Sequence, residues 1–295
     1  MRSLARPLAI MALAAAMTDG AACAQALKVG SKSLTEQFIV AELYAASLEA
    51  SGIAVEHRID LGPTSVAHQA LVTGAIDLYP EYTGTALGAV MKVATDTYSQ
   101  KEVYQRVKAY YEREFRLLWL TPSGVNNGYA MVVRPGTSAA LHLKTLSDLA
   151  KVSKSLKLGA GPEFGERRDG IKGLKEVYGM GFTAYQPFAD LRLRYEALAQ
   201  EQIDIANGFA TDWQIAAEQL VELRDDKGLF PPYFLAPVVR MDTVAGNAKA
   251  VEALERVGEL IDNRTMRELN RQVEADRKQP REVAAAFLKV KGVIP

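Results

Sequence analysis

The sequence predicts an α/β protein with two similar lobes, and three observations lead to this prediction. One pattern occurs twice, as HQALVTGAIDLYPEYTGT from His68 to Thr85 and as YEALAQEQIDIANGFATD from Tyr195 to Asp212. Short apolar strands alternate with helical segments along the chain, which is typical of mostly parallel sheets. The length of 295 residues suits two lobes rather than one compact unit.

The repeat places an aromatic residue where each strand leaves its sheet. Both copies read A-L-x4-I-D-x4-aromatic, and the aromatic is Tyr82 in the first copy and Phe209 in the second. Ligands of open α/β sheets bind beyond the carboxyl ends of the strands. The repeat therefore predicts one aromatic from each lobe at a shared cleft, although chance recurrence of a common strand–turn pattern is the alternative explanation.

The first 26 residues differ in character from the rest. Arg2 and Arg6 precede an apolar run, and AACAQA follows it with small residues. This layout is typical of a secretory signal peptide cleaved after Ala24 or Ala26, so we expect export to a periplasm. The only cysteine, Cys23, lies in this segment. Because GAAC loosely resembles a lipoprotein cleavage box, a lipid-anchored form is the alternative.

The charge balance and the scattered histidines exclude several classes of function. The chain has 35 basic and 35 acidic residues, whereas a nucleic-acid-binding protein usually shows a basic excess. His57, His68 and His142 are spread out, and no pair has the spacing of metal ligands. The sequence holds no G-x-S-x-G, G-x-G-x-x-G or Walker motif. We therefore predict no catalytic residues, no metal and no cofactor.

The predicted elements alternate in chain order. The first half gives strands at 27–31, 53–61 and 76–79 and helices at 34–50, 65–72 and 101–115. The second half gives strands at 156–159, 183–187 and 203–206 and helices at 170–178, 192–199, 248–261, 266–275 and 280–290. Thr265 and Glu268 have capping-box spacing, and Pro280 suits a first helical turn.

This order predicts an interrupted first lobe. Residues 27–127 begin it and residues 234–295 complete it, while residues 128–233 form the second lobe. The chain then crosses between lobes near Asn127 and again near Tyr233. Two crossings of this kind form a hinge of two strands.

Four ordered segments resemble one protein family. They are DLYPEYTGT at 77–85, NNGYAMVVR at 126–134, EFGERRDGIKGLKEVYG at 163–179 and FPPYFLAPVVR at 230–240. From about Lys28 to the C-terminus the chain resembles the substrate-binding proteins of osmoprotectant ABC importers. The resemblance implies a two-lobed periplasmic-binding-protein clamp of type II-like architecture, with helices flanking both sheets. It also implies a monomer that delivers a quaternary ammonium compound to a membrane ABC permease and is not an enzyme.

The resemblance assigns four aromatic positions to a ligand cage: Tyr82, Tyr129, Phe209 and Tyr233. A quaternary ammonium ion has no N–H to donate, so aromatic faces are its best partners. Core packing is the alternative for any single aromatic, but the ordered set of four favours a cage. Phe209 is a departure because many relatives have tyrosine there, and phenylalanine is the weaker cation–π partner.

The resemblance also assigns Arg167, Lys32 and Thr85 to the carboxylate of a betaine. Arg167 offers a planar fork that suits a carboxylate, with Arg168 as an adjacent competitor. Lys32 lies in a GSKS turn that opens a helix, where exposed N–H groups favour an anion. Solvated surface charge is the alternative for both cations.

Asn127 corresponds to a position near the cationic head of the ligand, where some relatives carry aspartate; a turn residue is the equal alternative. The assignments are less definite for Glu36, Gln37, Asp169 and Asp212, and Asp212 has the position of a helix cap. The expected ligands are glycine betaine, choline, and then proline betaine, carnitine or a histidine betaine. An enzyme or a sensor domain on the same scaffold is the alternative function.

Overall fold

The computed structural model describes residues 26–93 and 98–295. The predicted signal peptide, with Cys23, lies outside the described residues except for Ala26. Within the described ranges, no helix combines the length and the apolar character needed to cross a bilayer.

Two five-stranded sheets form the framework of the described residues. The strands are β1 (Leu27–Gly30), β2 (Val55–Arg58), β3 (Leu78–Tyr82), β4 (Leu117–Trp119), β5 (Tyr129–Val133), β6 (Lys157–Ala160), β7 (Ala184–Pro187), β8 (Ile205–Phe209), β9 (Val221–Leu223) and β10 (Leu235–Arg240). The first sheet has the order β2-β1-β3-β10-β4, and the second has the order β7-β6-β8-β5-β9. We call each sheet with its helices a lobe. The prediction of two α/β sheets is confirmed.

Helices cover both faces of the sheets. They are α1 (Thr35–Ala50), α2 (Thr64–Thr73), α3 (Thr83–Thr85), α4 (Gln100–Phe115), α5 (Pro135–Leu141), α6 (Leu146–Val152), α7 (Pro162–Glu166), α8 (Ile171–Tyr178), α9 (Leu193–Ala199), α10 (Gln214–Ala217), α11 (Met241–Val244), α12 (Ala248–Leu260), α13 (Asn263–Glu274) and α14 (Pro280–Val290). A π-helical turn at Ala86–Val90 follows α3, and a short 3-10 turn at Ser153–Ser155 follows α6. Helix α1 is buried on almost every side because it packs against the sheet and against α12, α13 and α14.

Each sheet is mixed, where the sequence pattern predicted mostly parallel strands. Strand β1 is parallel to β2 and β3, but β10 is antiparallel to β3 and β4. The second sheet repeats this arrangement, with β6 parallel to β7 and β8 and β5 antiparallel to β8 and β9. Strands β5 and β10 each arrive from the other lobe. They therefore enter their sheets from the opposite end, which reverses their direction.

The repeat strands run further than the sequence predicted. Strands β3 and β8 continue to Tyr82 and Phe209, because the crossing strands β10 and β5 pair with them over their full length. The predicted capping box at Thr265 is wrong, since α13 begins earlier. Asp262 is its N-cap and its side chain accepts from the Thr265 N–H at 2.8 Å. The prediction for Pro280 is confirmed, because it lies in the first turn of α14.

The two copies of the repeat make equivalent bonds in the two lobes. The Asp77 carboxylate accepts from the Lys28 N–H at 2.9 Å, and the Asp204 carboxylate accepts from the Lys157 N–H at 2.8 Å. Each aspartate thereby fixes the start of the neighbouring parallel strand. Such equivalence in three dimensions argues against chance recurrence of the pattern.

The packing of the repeat isoleucines explains why each neighbouring parallel strand has a glycine at one position. A Cβ atom on Gly30 would lie 2.6 Å from Cδ1 of Ile76. A Cβ atom on Gly159 would overlap Cδ1 of Ile203 and would lie 2.8 Å from Cε2 of Phe188. The isoleucines occupy the space that a side chain would need.

The two crossings between the lobes lie side by side. Asn126 and Phe234 form an antiparallel bridge, and the Asn127 N–H donates to the Tyr233 carbonyl at 3.0 Å. The Tyr233 N–H donates to Oδ1 of Asn126 at 2.8 Å. Two backbone segments thus join the lobes.

We expect Gly159→Ala to lower the free energy of unfolding by about 1–3 kcal/mol, because overfilling a packed site forces its neighbours to move. Ile203→Val in the same chain should recover part of this loss by making room for the new methyl group. Urea denaturation measures both. Gly181→Ala is the matched control, because its Cβ atom would meet no atom within 4 Å. Equal stability of the two alanine variants would contradict the prediction.

Candidate functional site

Aromatic rings gather where the second sheet meets the crossings. Tyr129 lies directly opposite Phe209 in the β5–β8 pairing, and their rings stack with centroids 5.5 Å apart. Tyr233 is edge-on to Tyr129 at 5.6 Å. Phe164 and Phe230 contact the same ring at 4.9 and 5.5 Å. We call these five residues the ring cluster, which contains three of the four predicted cage positions.

Tyr82 is linked to Asn127, at one of the crossings, through the carboxyl group of Glu36. Its strand partner in β10 is Leu235 rather than an aromatic, so strand pairing gives it no stacked ring. The Tyr82 hydroxyl instead donates to Oε1 of Glu36 at 2.6 Å, and Nδ2 of Asn127 donates to the same oxygen at 3.0 Å. Glu36 thus links two predicted ligand residues.

Glu36 also binds the second lobe. Its Oε2 accepts from the Thr211 hydroxyl and from Nδ2 of Asn270 at 3.1 Å. The four donors come from the first lobe, a crossing and the second lobe. Asn127 completes the arrangement by accepting from the Thr211 N–H at 3.0 Å. The sequence marked Glu36 only as an uncertain candidate and missed Thr211 and Asn270, because nothing in their local patterns distinguishes them.

Lys32 is buried beside Tyr82 rather than exposed. It is 4% exposed, and its Nζ lies 4.9 Å from the Tyr82 ring centroid. The same Nζ donates to Glu81 at 2.5 Å, and Glu81 also accepts from the Tyr79 hydroxyl. Solvated surface charge is therefore ruled out for Lys32, although its positive charge already has a carboxylate partner.

Arg167 occupies the ring cluster, and the exposed Arg168 does not. Its Nε and Nη2 donate to the two oxygens of Asp169 at 2.8 and 2.6 Å. Nη2 also lies 3.1 Å from the Tyr233 hydroxyl and 3.4 Å from the carbonyl of Gly84 in the first lobe. The predicted residue Thr85 is buried and directly follows Gly84 in the chain.

Asp212 is not the helix cap that its sequence position suggested, because α10 begins at Gln214. Its Oδ2 accepts from the Phe209 N–H at 2.9 Å and from the Tyr195 hydroxyl at 2.5 Å. It also accepts from Nη2 of Arg194 at 2.5 Å. Asp212 therefore fixes the end of β8 to helix α9.

Arg194 is a residue that sequence reasoning missed. It is 1% exposed, and its Cζ lies 4.9 Å from the Phe209 ring centroid. A signal was present in the repeat, where the equivalent residue of the first copy is the buried Ala67. A charge in place of a buried alanine distinguishes the two lobes.

The lobes touch on both sides of these residues. On one side the N–H of Thr64 donates to the carboxylate of Glu163 at 3.2 Å. On the other side Trp213 Nε1 and Gln214 Nε2 donate to Glu274 at 2.8 and 3.0 Å. The lobes are therefore closed over the site.

The electrostatics of the site follow from burial. Burial raises the pKa of the Tyr82, Tyr129 and Tyr233 hydroxyls, so these groups stay protonated. The Tyr82 hydroxyl donates to Glu36, and the Tyr233 hydroxyl donates to Asp169. Burial also raises the pKa of Glu36 above 4.5, against the opposing effect of its hydrogen bonds. Among the described side chains, no group of three or more His, Cys, Asp or Glu is placed to hold a metal ion. The arrangement suits the enclosure of a small polar or cationic molecule.

Two closed α/β lobes joined by two crossings, with aromatic rings between them, define a solute-binding protein. The chain belongs to the family described as the substrate-binding domain of ABC-type glycine betaine transport systems, which matches residues 25–290. Members of this family serve transport and are not enzymes, which confirms the resemblance seen in the sequence.

Individual relatives extend the comparison. The chain is 36% identical over 268 residues to the ergothioneine transport permease/ergothioneine binding protein EgtU of Helicobacter pylori (strain G27), covering 90% of this chain but only 48% of that protein. It is 31% identical to the glycine betaine-binding protein YehZ of Escherichia coli (strain K12), covering 91% of this chain and 92% of that one. A crystal structure described as a glycine betaine/carnitine/choline ABC transporter matches with a TM-score of 0.76 at 30% identity, covering 90% and 99% of the two chains.

We expect Glu36→Gln to change how stability depends on pH. A raised pKa means that the folded state holds a proton that the unfolded chain has released just above pH 4.5. The stability contributed by Glu36 is therefore greatest below this pH and falls as the pH rises through the raised pKa. The wild type should lose stability relative to Glu36→Gln over that window, as measured by urea denaturation at a series of pH values.

Glu102→Gln is the control for this measurement. Hydrogen bonds from Ser99 lower the pKa of Glu102, so its contribution is lost as the pH falls. The stability of the wild type relative to Glu102→Gln should rise with pH, which is the opposite of the change expected for Glu36→Gln, and it should do so at pH values below 4.5. A pH-independent difference between wild type and Glu36→Gln would contradict the prediction.

Proposed function

We propose that this protein captures a quaternary ammonium betaine between its lobes and delivers it to a membrane ABC permease. The observation that carries the proposal is the ring cluster, in which Tyr129, Phe209 and Tyr233 meet beside both crossings. Rings from one sheet and from a crossing are brought close to residues of the opposite lobe. A ligand held there would contact both lobes at once.

The aromatic rings are the proposed source of affinity for the cationic head. Tyr82, Tyr129, Phe209 and Tyr233 form the proposed cage, and each desolvated face contributes roughly 0.5–2 kcal/mol to binding of a cation. The carboxyl group of Glu36 adds a polar group one hydrogen bond from Tyr82 and Asn127.

Arg167, Lys32 and Thr85 are the proposed partners of a ligand carboxylate. Both cations already have a carboxylate partner, since Lys32 pairs with Glu81 and Arg167 pairs with Asp169. A ligand carboxylate would therefore share them with the protein, which weakens each contact relative to an unpaired cation. The Thr85 hydroxyl would supply a neutral donor beside Arg167.

The relatives support a betaine as the ligand class. Their names give glycine betaine, carnitine and ergothioneine, and ergothioneine is a sulfur-containing betaine of histidine. All three molecules join a trimethylammonium group to a carboxylate. We therefore place zwitterionic betaines ahead of choline, which has a hydroxyl in place of the carboxylate.

Binding would proceed by closure about the two crossings. The moving bodies are proposed to be residues 27–127 with 234–295, and residues 128–233. The ligand would stabilise the closed form, because it would contact both lobes there, next to the bond between Thr211 and Glu36. We propose that the closed monomer, exported to the periplasm, then docks on the permease.

Isothermal titration calorimetry of the chain from residue 27, against glycine betaine, choline, carnitine and ergothioneine, tests the proposal. We expect Tyr129→Ala and Tyr233→Ala each to weaken binding about tenfold or more, because each variant removes an aromatic face. Phe287→Ala is the control, since this residue belongs to α14 in the first lobe and its ring is not part of the ring cluster. Unchanged affinity in both folded tyrosine variants would refute the cage.

A separate test distinguishes binding from packing at Phe209. Phe209→Ala should weaken ligand binding and leave the melting temperature of the ligand-free protein nearly unchanged. Phe209→Tyr should tighten binding of a small betaine by up to ~1 kcal/mol, because tyrosine is the stronger cation–π partner. A loss of several kcal/mol in the stability of ligand-free Phe209→Ala would instead identify Phe209 as a core residue.

A further inference from the structure

Three buried cationic side chains lie against aromatic rings of the site: Lys32, Arg167 and Arg194. All three are paired with a carboxylate within the protein, Lys32 with Glu81, Arg167 with Asp169 and Arg194 with Asp212. Arg194 differs from the other two because two of its buried nitrogens have no hydrogen-bond partner among the described residues.

Among the described residues, Nη2 is the only nitrogen of the Arg194 guanidinium that makes a hydrogen bond, and it donates to Asp212. Nε and Nη1 are buried and have no hydrogen-bond partner among the described residues. The side chain is only 1% exposed, so bulk water does not solvate these donors freely. Burying the N–H donors of a charged group without hydrogen-bond partners costs free energy. A hydrogen-bond acceptor from outside the chain would remove this cost.

The guanidinium is fixed at the second-lobe end of the ring cluster. Asp212 Oδ2 holds Arg194 and also accepts from the Phe209 N–H and the Tyr195 hydroxyl. The Arg194 Cζ lies 4.9 Å from the Phe209 ring centroid. The unused donors of Arg194 are therefore held beside the ring of Phe209, a proposed cage residue. The same hydrogen-bond network includes the backbone N–H of Phe209.

We propose that Arg194 binds the acceptor end of the ligand, a carboxylate oxygen or an acceptor of similar strength, and so selects zwitterionic betaines over choline. This inference rests on the proposed function. Asp212 offsets the charge of the guanidinium, so the ammonium group can lie on the Phe209 ring while the acceptor end of the ligand accepts from Nε and Nη1 of Arg194. Arg194 then takes part of the role that the sequence assigned to Arg167.

Calorimetry with glycine betaine, ergothioneine and choline tests the role of Arg194. Arg194→Lys keeps the charge but removes the Nε and Nη1 donors, and Arg194→Gln removes the charge. Both variants should bind glycine betaine and ergothioneine about tenfold or more weakly and choline within about threefold of wild type. Arg192→Ala is the matched control. This arginine precedes α9, is partly exposed and pairs with Asp190, so all three affinities should stay unchanged.

The outcomes separate selectivity from packing. Equal weakening for all three ligands, or unchanged affinities, would overturn the inference and leave the proposed function standing. Loss of the folded state in both Arg194 variants, seen as loss of the thermal transition, would likewise show that Arg194 only stabilises the lobe. Failure of the wild type to bind any of the three ligands would instead contradict the proposed function, and this inference would fall with it.

Discussion

The pairing of each crossing strand with a repeat strand is the constraint on which the site depends. Strand β5 sets Tyr129 opposite Phe209, and β10 sets Leu235 opposite Tyr82. A shift of one residue in either register would turn these side chains to the other face of the sheet. Because β5 and β10 also carry the chain between lobes, the same bonds fix the ring cluster and the position of the crossings.

The two lobes share a backbone plan but differ in the charges at their strand ends. In the first lobe Lys32 and Glu81 form a buried pair, and the equivalent residues of the second lobe are Gly161 and Gly208. A Cβ atom on Gly208 would overlap the Tyr195 hydroxyl. The second lobe thus fills this space with groups from α9 and with the ion pair that α9 makes to Asp212. Two lobes with one backbone plan thus present unequal ends to the site between them.

Buried polar groups join the lobes across the site. Glu36 accepts from four donors, and Thr211 and Asn127 bind one another as well as this carboxylate. Such a network is favourable only when every member is in place, so partial closure leaves buried groups unpaired. Under the proposed closure, a small ligand would shift the balance between open and closed forms, since a few bonds decide it.

The sequence by itself determined the two α/β sheets, the strands β1–β3 and β6–β8 and the aromatic ends of the repeat strands, because these depend on local periodicity and on patterns close together in the chain. It did not predict β4, β5, β9 and β10 as strands. It also indicated the family through four short segments. Only the tertiary structure decided that Glu36 collects its donors from both lobes and that Arg194 keeps two free donors beside Phe209. Hydrogen-bond partners far apart in sequence leave no local pattern, and whether a buried charge is satisfied depends on side chains that only folding brings together.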